Sequence, residues 1–301
     1  MASGNIKAWI SAFRLRTLPL SLSVILMGSF LAAFQGSFAW PIFLLAILTT
    51  LCLQILSNLA NDYGDTEHGA DSLQRIGPSR AVQSGAISKN AMKRAILVFS
   101  LLSLISGLAL IFVALNDNWL FVLLFLALGL GAITAAIKYT AGNNPYGYRG
   151  LGDIFVFLFF GLVGVLGSYY LFVQSFDWTI CLPAAAMGFL STGVLNMNNM
   201  RDHVSDEQAG KITLVVRMGF QTAKIYQVGL VLSAITCAIL FTAIHFQQLW
   251  QYLFLLILPL LGKHIQTVVT AQEPILLDKQ LKVLAISTLL FSILFGIGLL
   301  V

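Results

Sequence analysis

The chain has 301 residues, of which 58% are hydrophobic and only 10% are charged, and its mean hydropathy is +0.88. A soluble domain carries roughly 25% charged residues, so this composition excludes a soluble enzyme and predicts a polytopic membrane protein. The formal charge of +5 does not indicate a nucleic-acid partner, because the basic residues are concentrated in particular loops.

Apolar runs of about 20 residues recur along the chain, and each can cross roughly 30 Å of hydrocarbon as a helix. Lipid-exposed strands would leave backbone groups unpaired. We therefore predict an all-α protein whose whole length, 1–301, is a single transmembrane domain. Nine spans are predicted, at about 18–37, 41–60, 95–115, 119–137, 153–173, 179–197, 222–244, 250–270 and 281–301.

The basic residues predict the orientation in the membrane. Of the 17 Lys and Arg residues, 14 lie in the N-terminal segment or in the loops after the second, fourth, sixth and eighth spans, and the other three, Lys224, Lys263 and Lys282, lie in the halves of the seventh, eighth and ninth spans that adjoin these loops. By the positive-inside rule, the N-terminus is cytoplasmic and the C-terminus lies on the outer side of the cell (inner) membrane. The longest loops lie on the same side as the basic residues, so we expect the functional site to face the cytoplasm.

The second predicted span ends in an acidic motif. Asn58, Asp62 and Asp65 are spaced four and three residues apart, which places them on one face of a helix. Asn61 precedes the first aspartate directly. An acidic end on so apolar a helix is costly unless a cation compensates it.

The loop after the fourth span is rich in tyrosine and glycine. Lys138 and Tyr139 begin it, Tyr148 follows, and Asp153 lies at the start of the fifth span. These residues fit a substrate pocket, and they fit equally well a set of interfacial aromatics with an acid at a helix N-terminus.

A second acidic motif closes the sixth span. Asn198, Asp202 and Asp206 follow one another at four-residue intervals, which matches the first motif. Two such clusters at the same membrane face predict a bound cation, and Mg²⁺ suits a set of carboxylates together with substrate phosphate oxygens. The basic residues of the same loops are candidate phosphate ligands: Arg80, Lys138, Arg201, Lys211 and Arg217.

The acidic residues also have two other interpretations, as solvated acids at the membrane boundary or as the cation site of a transporter. Acids at a membrane boundary can be simply solvated, and we expect that of the isolated Asp117, Asp177, Glu273 and Asp278. A cation-coupled transporter also uses intramembrane acids, although these usually lie near the bilayer midplane.

The two motifs, "NDYGD" at 61–65 and "NNMRDHVSD" at 198–206, resemble the aspartate motifs of the UbiA superfamily of intramembrane prenyltransferases. Three longer stretches, at 13–22, 58–85 and 139–161, are similar to the branch that prenylates 1,4-dihydroxy-2-naphthoate in menaquinone synthesis. The 4-hydroxybenzoate branch usually has a further aspartate four positions after Asp65, where this chain has Gly69. That difference puts Asp71 in doubt as a metal ligand.

The resemblance implies nine helices around a central cavity open to the cytoplasmic side. It implies that Mg²⁺, held by Asp62, Asp65, Asp202 and Asp206, bridges the diphosphate of a polyprenyl donor. It further implies prenylation of the naphthoate with loss of CO₂ to give demethylmenaquinol; 4-hydroxybenzoate is the alternative acceptor. The expected substrate-binding residues are Asn58, Asn61, Arg80, Lys138, Tyr139, Tyr148, Asp153, Asn198, Arg201, Lys211 and Arg217.

Overall fold

The structure, a computed structural model, describes residues 6–69, 80–115 and 118–301. Within these ranges the chain is helical and contains no strand. The helices are α1 (Ile6–Phe13), α2 (Leu18–Phe34), α3 (Trp40–Glu67), α4 (Lys89–Ala114), α5 (Trp119–Lys138), α6 (Gly152–Val156), α7 (Gly167–Val173), α8 (Cys181–Gln208), α9 (Leu214–Met218), α10 (Phe220–Ile244), α11 (Leu258–Thr270) and α12 (Asp278–Leu300).

Nine helical segments of the described ranges are long and apolar enough to cross a membrane, which confirms the predicted number. Two of them run further than predicted, because α3 continues to Glu67 and α8 to Gln208. Each stops just before a glycine with positive φ, Gly69 at 73° and Gly210 at 70°. That left-handed backbone ends a helix. Both acidic motifs therefore lie inside the last turns of helices.

The first span also begins earlier than predicted. Helix α1 precedes α2, and the two are joined by a single turn at Leu15–Thr17. Arg14 lies at the junction with φ of 49°, a value that is uncommon for a residue with a side chain. The chain thus bends before α2 and brings α1 against α3.

Helix α8 lies at the centre of the bundle. It packs against α10, α12 and the fifth span, in which α6 and α7 flank the π-helical segment Phe157–Leu166. A side chain on Gly161 would lie 2.7 Å from the Cα of Gly188, so glycines allow close contact between these helices. This contact positions the start of α6 beside α8.

A small apolar cluster anchors the segment that leads into α4. Ala81, Val82 and Ile87 pack with Leu59 of α3 and Met92 of α4. Burial of these side chains brings the backbone of residues 80–82 onto the end of α3. The first acidic motif is thereby covered by the chain that follows it.

Candidate functional site

Asp62 binds the covering segment through backbone hydrogen bonds. Its carboxylate accepts the N–H of Ala81 at 3.0 Å and that of Val82 at 3.1 Å, one on each oxygen. The side chain is buried. Since a carboxylate oxygen has more than one lone pair, Asp62 can order this segment and still accept another ligand.

Asp65 lies at the meeting point of three segments. It accepts the hydroxyl of Tyr148 at 3.0 Å on Oδ1 and a guanidinium N–H of Arg80 at 3.3 Å on Oδ2. Lys211 approaches the same Oδ1 at 3.5 Å. The structure thus brings together four side chains that the sequence predicted for the site.

Lys211 joins the two acidic motifs. Its Nζ lies 3.5 Å from Asp65 Oδ1 and 3.6 Å from Asp206 Oδ1, and 5.5 Å from the centre of the Tyr148 ring. Carboxylates from two helices therefore converge on one cation. An ammonium at this position shows that the pair of oxygens suits a positive charge, and hard oxygen ligands of this kind are those that Mg²⁺ prefers.

Arg201 forms a buried ion pair with Asp202. The guanidinium is 1% exposed and donates to both oxygens of Asp202, from Nε at 2.8 Å and from Nη2 at 2.6 Å. It also donates to Asn198 at 3.0 Å and to Asp278 of α12 at 2.8 Å. Asp278, predicted to be only solvated, is in fact an ion-pair partner of Arg201 that retains 41% exposure of its side chain. That prediction was wrong.

The two asparagines of the first motif contact neighbouring segments. Asn58 donates to the carbonyl of Phe13 at 2.9 Å and to the hydroxyl of Thr17 at 3.0 Å. Asn61 accepts the hydroxyl of Thr140 at 3.1 Å. Both therefore position α3 against the junction after α1 and against the tyrosine loop, and their predicted role in substrate binding stays a prediction.

The tyrosine loop lies directly on α3 at Gly64. A side chain there would come within 2.5 Å of the carbonyl carbon and oxygen of Thr140. Thr140 also donates its hydroxyl to the carbonyl of Ala60 at 3.2 Å. Only glycine permits this approach, which places Tyr148 on Asp65.

Tyr139 and Asp153 lie together at the inner side of this loop. Burial raises the pKa of Tyr139 above its usual range, and the neighbouring charge of Asp153 adds to the effect. Its hydroxyl therefore stays protonated. Asp153 is only 5% exposed, and its Oδ1 has no hydrogen-bond partner in the described part of the chain.

Two predicted basic residues lie at the surface. Lys138 is exposed at the end of α5 beside Gly142. Arg217 is exposed and donates to the carbonyl of Arg149 at 2.7 Å, which ties α9 to the tyrosine loop. Their predicted contact with a phosphate stays a prediction. Asp71 and Asp117 lie outside the described residues.

Arg14 was not among the predicted site residues. Its guanidinium acts electrostatically on both Asp62 and Tyr139, so it lies near the first motif. No spacing rule identifies it, because its position follows from the left-handed backbone at the α1–α2 junction. In the described residues no group of three or more His, Cys, Asp or Glu side chains is arranged to hold a metal by itself.

Comparison with known proteins gives a consistent picture. The model of the UbiA prenyltransferase family matches residues 21–276. The chain is 46% identical over 292 residues to a 1,4-dihydroxy-2-naphthoate octaprenyltransferase of Escherichia coli (strain K12), covering 97% of this chain and 94% of that protein. It is 43% identical to the protein of the same description from Haemophilus influenzae, covering 100% of this chain and 98% of the relative.

Solved structures share the fold. An apo structure of a UbiA homolog from Aeropyrum pernix K1 has a TM-score of 0.70 at 15% identity and covers 95% of this chain and 98% of its own. A UbiA homolog from Archaeoglobus fulgidus bound to GPP and Mg²⁺ has a TM-score of 0.62 at 17% identity, with coverage of 96% and 100%. At these identities the likeness concerns the arrangement of helices.

Proposed function

This chain belongs to the UbiA prenyltransferase family, and we propose that it transfers a polyprenyl group from a polyprenyl diphosphate to 1,4-dihydroxy-2-naphthoate. The acceptor loses its carboxylate as CO₂, and the product is demethylmenaquinol in menaquinone biosynthesis. The names of relatives that match almost the whole chain at 43% and 46% identity support this acceptor.

One observation carries the proposal at the level of the site. Asp65 and Asp206, from helices whose motifs are about 140 residues apart, converge on the single ammonium of Lys211. A binding site for a metal–diphosphate needs such a convergence of oxygen ligands with cations beside it. Arg80 and Lys211 supply two cations on Asp65, and Lys211 also contacts Asp206.

The residues fit Mg²⁺, which would be held by Asp65 and Asp206 with Asp62 and Asp202 as the further oxygen ligands of the two motifs. With few protein carboxylates in direct reach of one point, substrate phosphate oxygens and water would complete the coordination. Bound Mg²⁺ would neutralise the charge that builds on the departing diphosphate.

The side chains around the metal position have separate tasks. Arg80 and Lys211 exchange their contacts with Asp65 for contacts with the diphosphate and stabilise its negative charge as the C–O bond breaks. The hydroxyl of Tyr148 holds Asp65 in orientation. Arg201 holds Asp202 and Asn198 on the second motif. Tyr139, half-buried and with its hydroxyl protonated, offers that hydroxyl and a ring face to the allylic cation and the acceptor.

We further infer that the chain forms one domain around a cavity open to the cytoplasmic side of the cell (inner) membrane. The concentration of Lys and Arg in one set of segments supports a cytoplasmic N-terminus and an outer C-terminus. The cation-coupled transporter is set aside, since both acidic motifs lie in the last turns of their helices and the family is one of prenyltransferases.

A competition assay tests the acceptor. Membranes containing the protein receive a polyprenyl diphosphate with equal concentrations of 1,4-dihydroxy-2-naphthoate and 4-hydroxybenzoate. We expect prenylated naphthoate as the main product, loss of activity with EDTA, and recovery with Mg²⁺. Preference for the benzoate would overturn the acceptor assignment, and full activity in EDTA would overturn the metal.

A further inference from the structure

Asp153 is a buried acid without a counter-ion. It is 5% exposed, and within the described ranges no Lys, Arg or His forms an ion pair with it. Its Oδ1 accepts no hydrogen bond, while the hydroxyl of Tyr226 lies against the carboxylate. A buried carboxylate with an unpaired oxygen is costly to a fold. It therefore calls for an explanation beyond packing.

The position of Asp153 connects it to the metal–diphosphate site. The backbone carbonyl of Asp153 accepts the hydroxyl of Thr192 of α8 at 3.5 Å, and Gly152 lies against Leu195 and the Tyr139 hydroxyl. Thr192 and Leu195 precede Asp202 by ten and seven residues. This corresponds to about 10–15 Å along the helix at roughly 1.5 Å per residue. Asp153 thus lies two to three turns deeper than the second motif.

Tyr139 links the two levels. The negative charges of Asp153, Asp65 and Asp206 all act on its hydroxyl, and that of Asp153 acts most strongly. Since the pKa of Tyr139 is raised by burial, this hydroxyl can donate a hydrogen bond but cannot take up a proton. Asp153, which lies deeper in the bundle than the two acidic motifs, has a carboxylate oxygen without a hydrogen-bond donor and can accept a proton there.

We propose that Asp153 is a catalytic residue, the base that takes the proton of an acceptor hydroxyl during prenyl transfer and returns it after CO₂ is lost. This inference rests on the proposed function, since it names the proton acceptor of that same reaction.

The proposed step balances without an outside reagent. The C–O bond of the donor breaks, and its electron pair leaves with the diphosphate. The ring carbon that bears the carboxylate bonds to the prenyl carbon while the adjacent hydroxyl loses its proton to Asp153 and becomes a ketone. The resulting β-keto carboxylate loses CO₂, the released electron pair re-forms the aromatic ring as an enolate, and the enolate oxygen takes the proton back from Asp153. No net proton is gained or lost.

The test uses the full-length protein with Asp153→Asn, Asp153→Glu and Asp153→Ala, and Glu273→Gln as a control that removes one exposed negative charge. Loss of a general base typically lowers rates by about 100- to 10,000-fold. We expect Asp153→Asn to lower kcat by that factor with an unchanged KM for the polyprenyl diphosphate. Asp153→Glu should retain part of the activity, formate should partly restore Asp153→Ala, and Glu273→Gln should match the wild type.

Thermal unfolding separates this role from a structural one. Because Asp153 has no counter-ion, Asp153→Asn should not lower Tm. A near wild-type kcat in Asp153→Asn would overturn the proposal, as would a lowered Tm combined with failure of formate to restore Asp153→Ala. If the wild type itself prenylates no aromatic acceptor, the proposed function fails instead, which is a distinct result.

Discussion

Gly64→Ala tests whether the tyrosine loop must lie directly on the first acidic motif. The new methyl group would lie 2.5 Å from the carbonyl carbon and oxygen of Thr140, whereas ordinary contacts begin at 3.4 Å. Thr140 must therefore move away from α3 by about 0.9 Å. This movement is costly, because the clashing atoms belong to the backbone of Thr140 and to its hydroxyl, which is hydrogen-bonded to the carbonyl of Ala60. Overpacking of this size costs about 1–3 kcal/mol.

The displacement reaches the site through the loop. Tyr148 follows on the same loop, and its hydroxyl is 3.0 Å from Asp65, so a shift of this size breaks or lengthens that hydrogen bond. A misplacement of about 1 Å can lower a rate about 100-fold. We expect Gly64→Ala to lower kcat/KM for the polyprenyl diphosphate by one to two orders of magnitude in a membrane prenylation assay, together with a lower Tm.

Gly229→Ala is the matched control. Gly229 also lies inside a long helix, α10, but a side chain there meets nothing within 4 Å. Alanine in a helix interior is favoured over glycine by roughly 0.5–1 kcal/mol, so this variant should keep full activity and an equal or higher Tm. Wild-type kcat/KM in Gly64→Ala would refute the reasoning, because the loop would then not depend on that contact.

Two further substitutions probe the charges of the site. Lys211→Met removes the cation between Asp65 and Asp206; repulsion between the carboxylates should lower Tm without metal, and Mg²⁺ should raise Tm by more than in the wild type. Asp278→Asn removes one partner of the buried Arg201, and because Asp278 is 41% exposed the expected loss is only about 1 kcal/mol of unfolding free energy.

Controls for these variants come from exposed residues of the same charge. Lys263→Met and Glu273→Gln change one charge each at exposed positions and should alter neither Tm nor its response to Mg²⁺. An unchanged Mg²⁺ response in Lys211→Met would contradict the placement of the metal between the two motifs. A loss in Asp278→Asn no larger than in Glu273→Gln would contradict the stabilising contact with Arg201.

Features set by composition and local spacing were predictable from the sequence. Nine apolar runs give nine spans in the described ranges, and the spacing of Asp62 with Asp65 and of Asp202 with Asp206 does place each pair on one helix. The helix ends were less predictable, because polar residues after the apolar runs continue the helix until a glycine with positive φ.

The partners of the charged residues could not be predicted, since they depend on contacts between distant segments. Asp278 binds Arg201, 77 residues away, because α12 begins beside the end of α8. Arg14 reaches the first motif through the turn between α1 and α2. The periodicity of residues within one helix predicts which side chains share a face of that helix, but it does not predict which distant segment that face contacts.

The central claim is that the two acidic motifs serve one metal–diphosphate site, and a double-mutant cycle on Asp65 and Asp206 tests it most directly. Mn²⁺ affinity is measured in the presence of an unreactive polyprenyl thiodiphosphate for the wild type, Asp65→Asn, Asp206→Asn and the double variant. If both ligands hold the same metal, each single change weakens binding, and the two effects are coupled by more than about 1 kcal/mol. Effects that add to within about 0.5 kcal/mol would mean two independent sites, and that result would contradict the account.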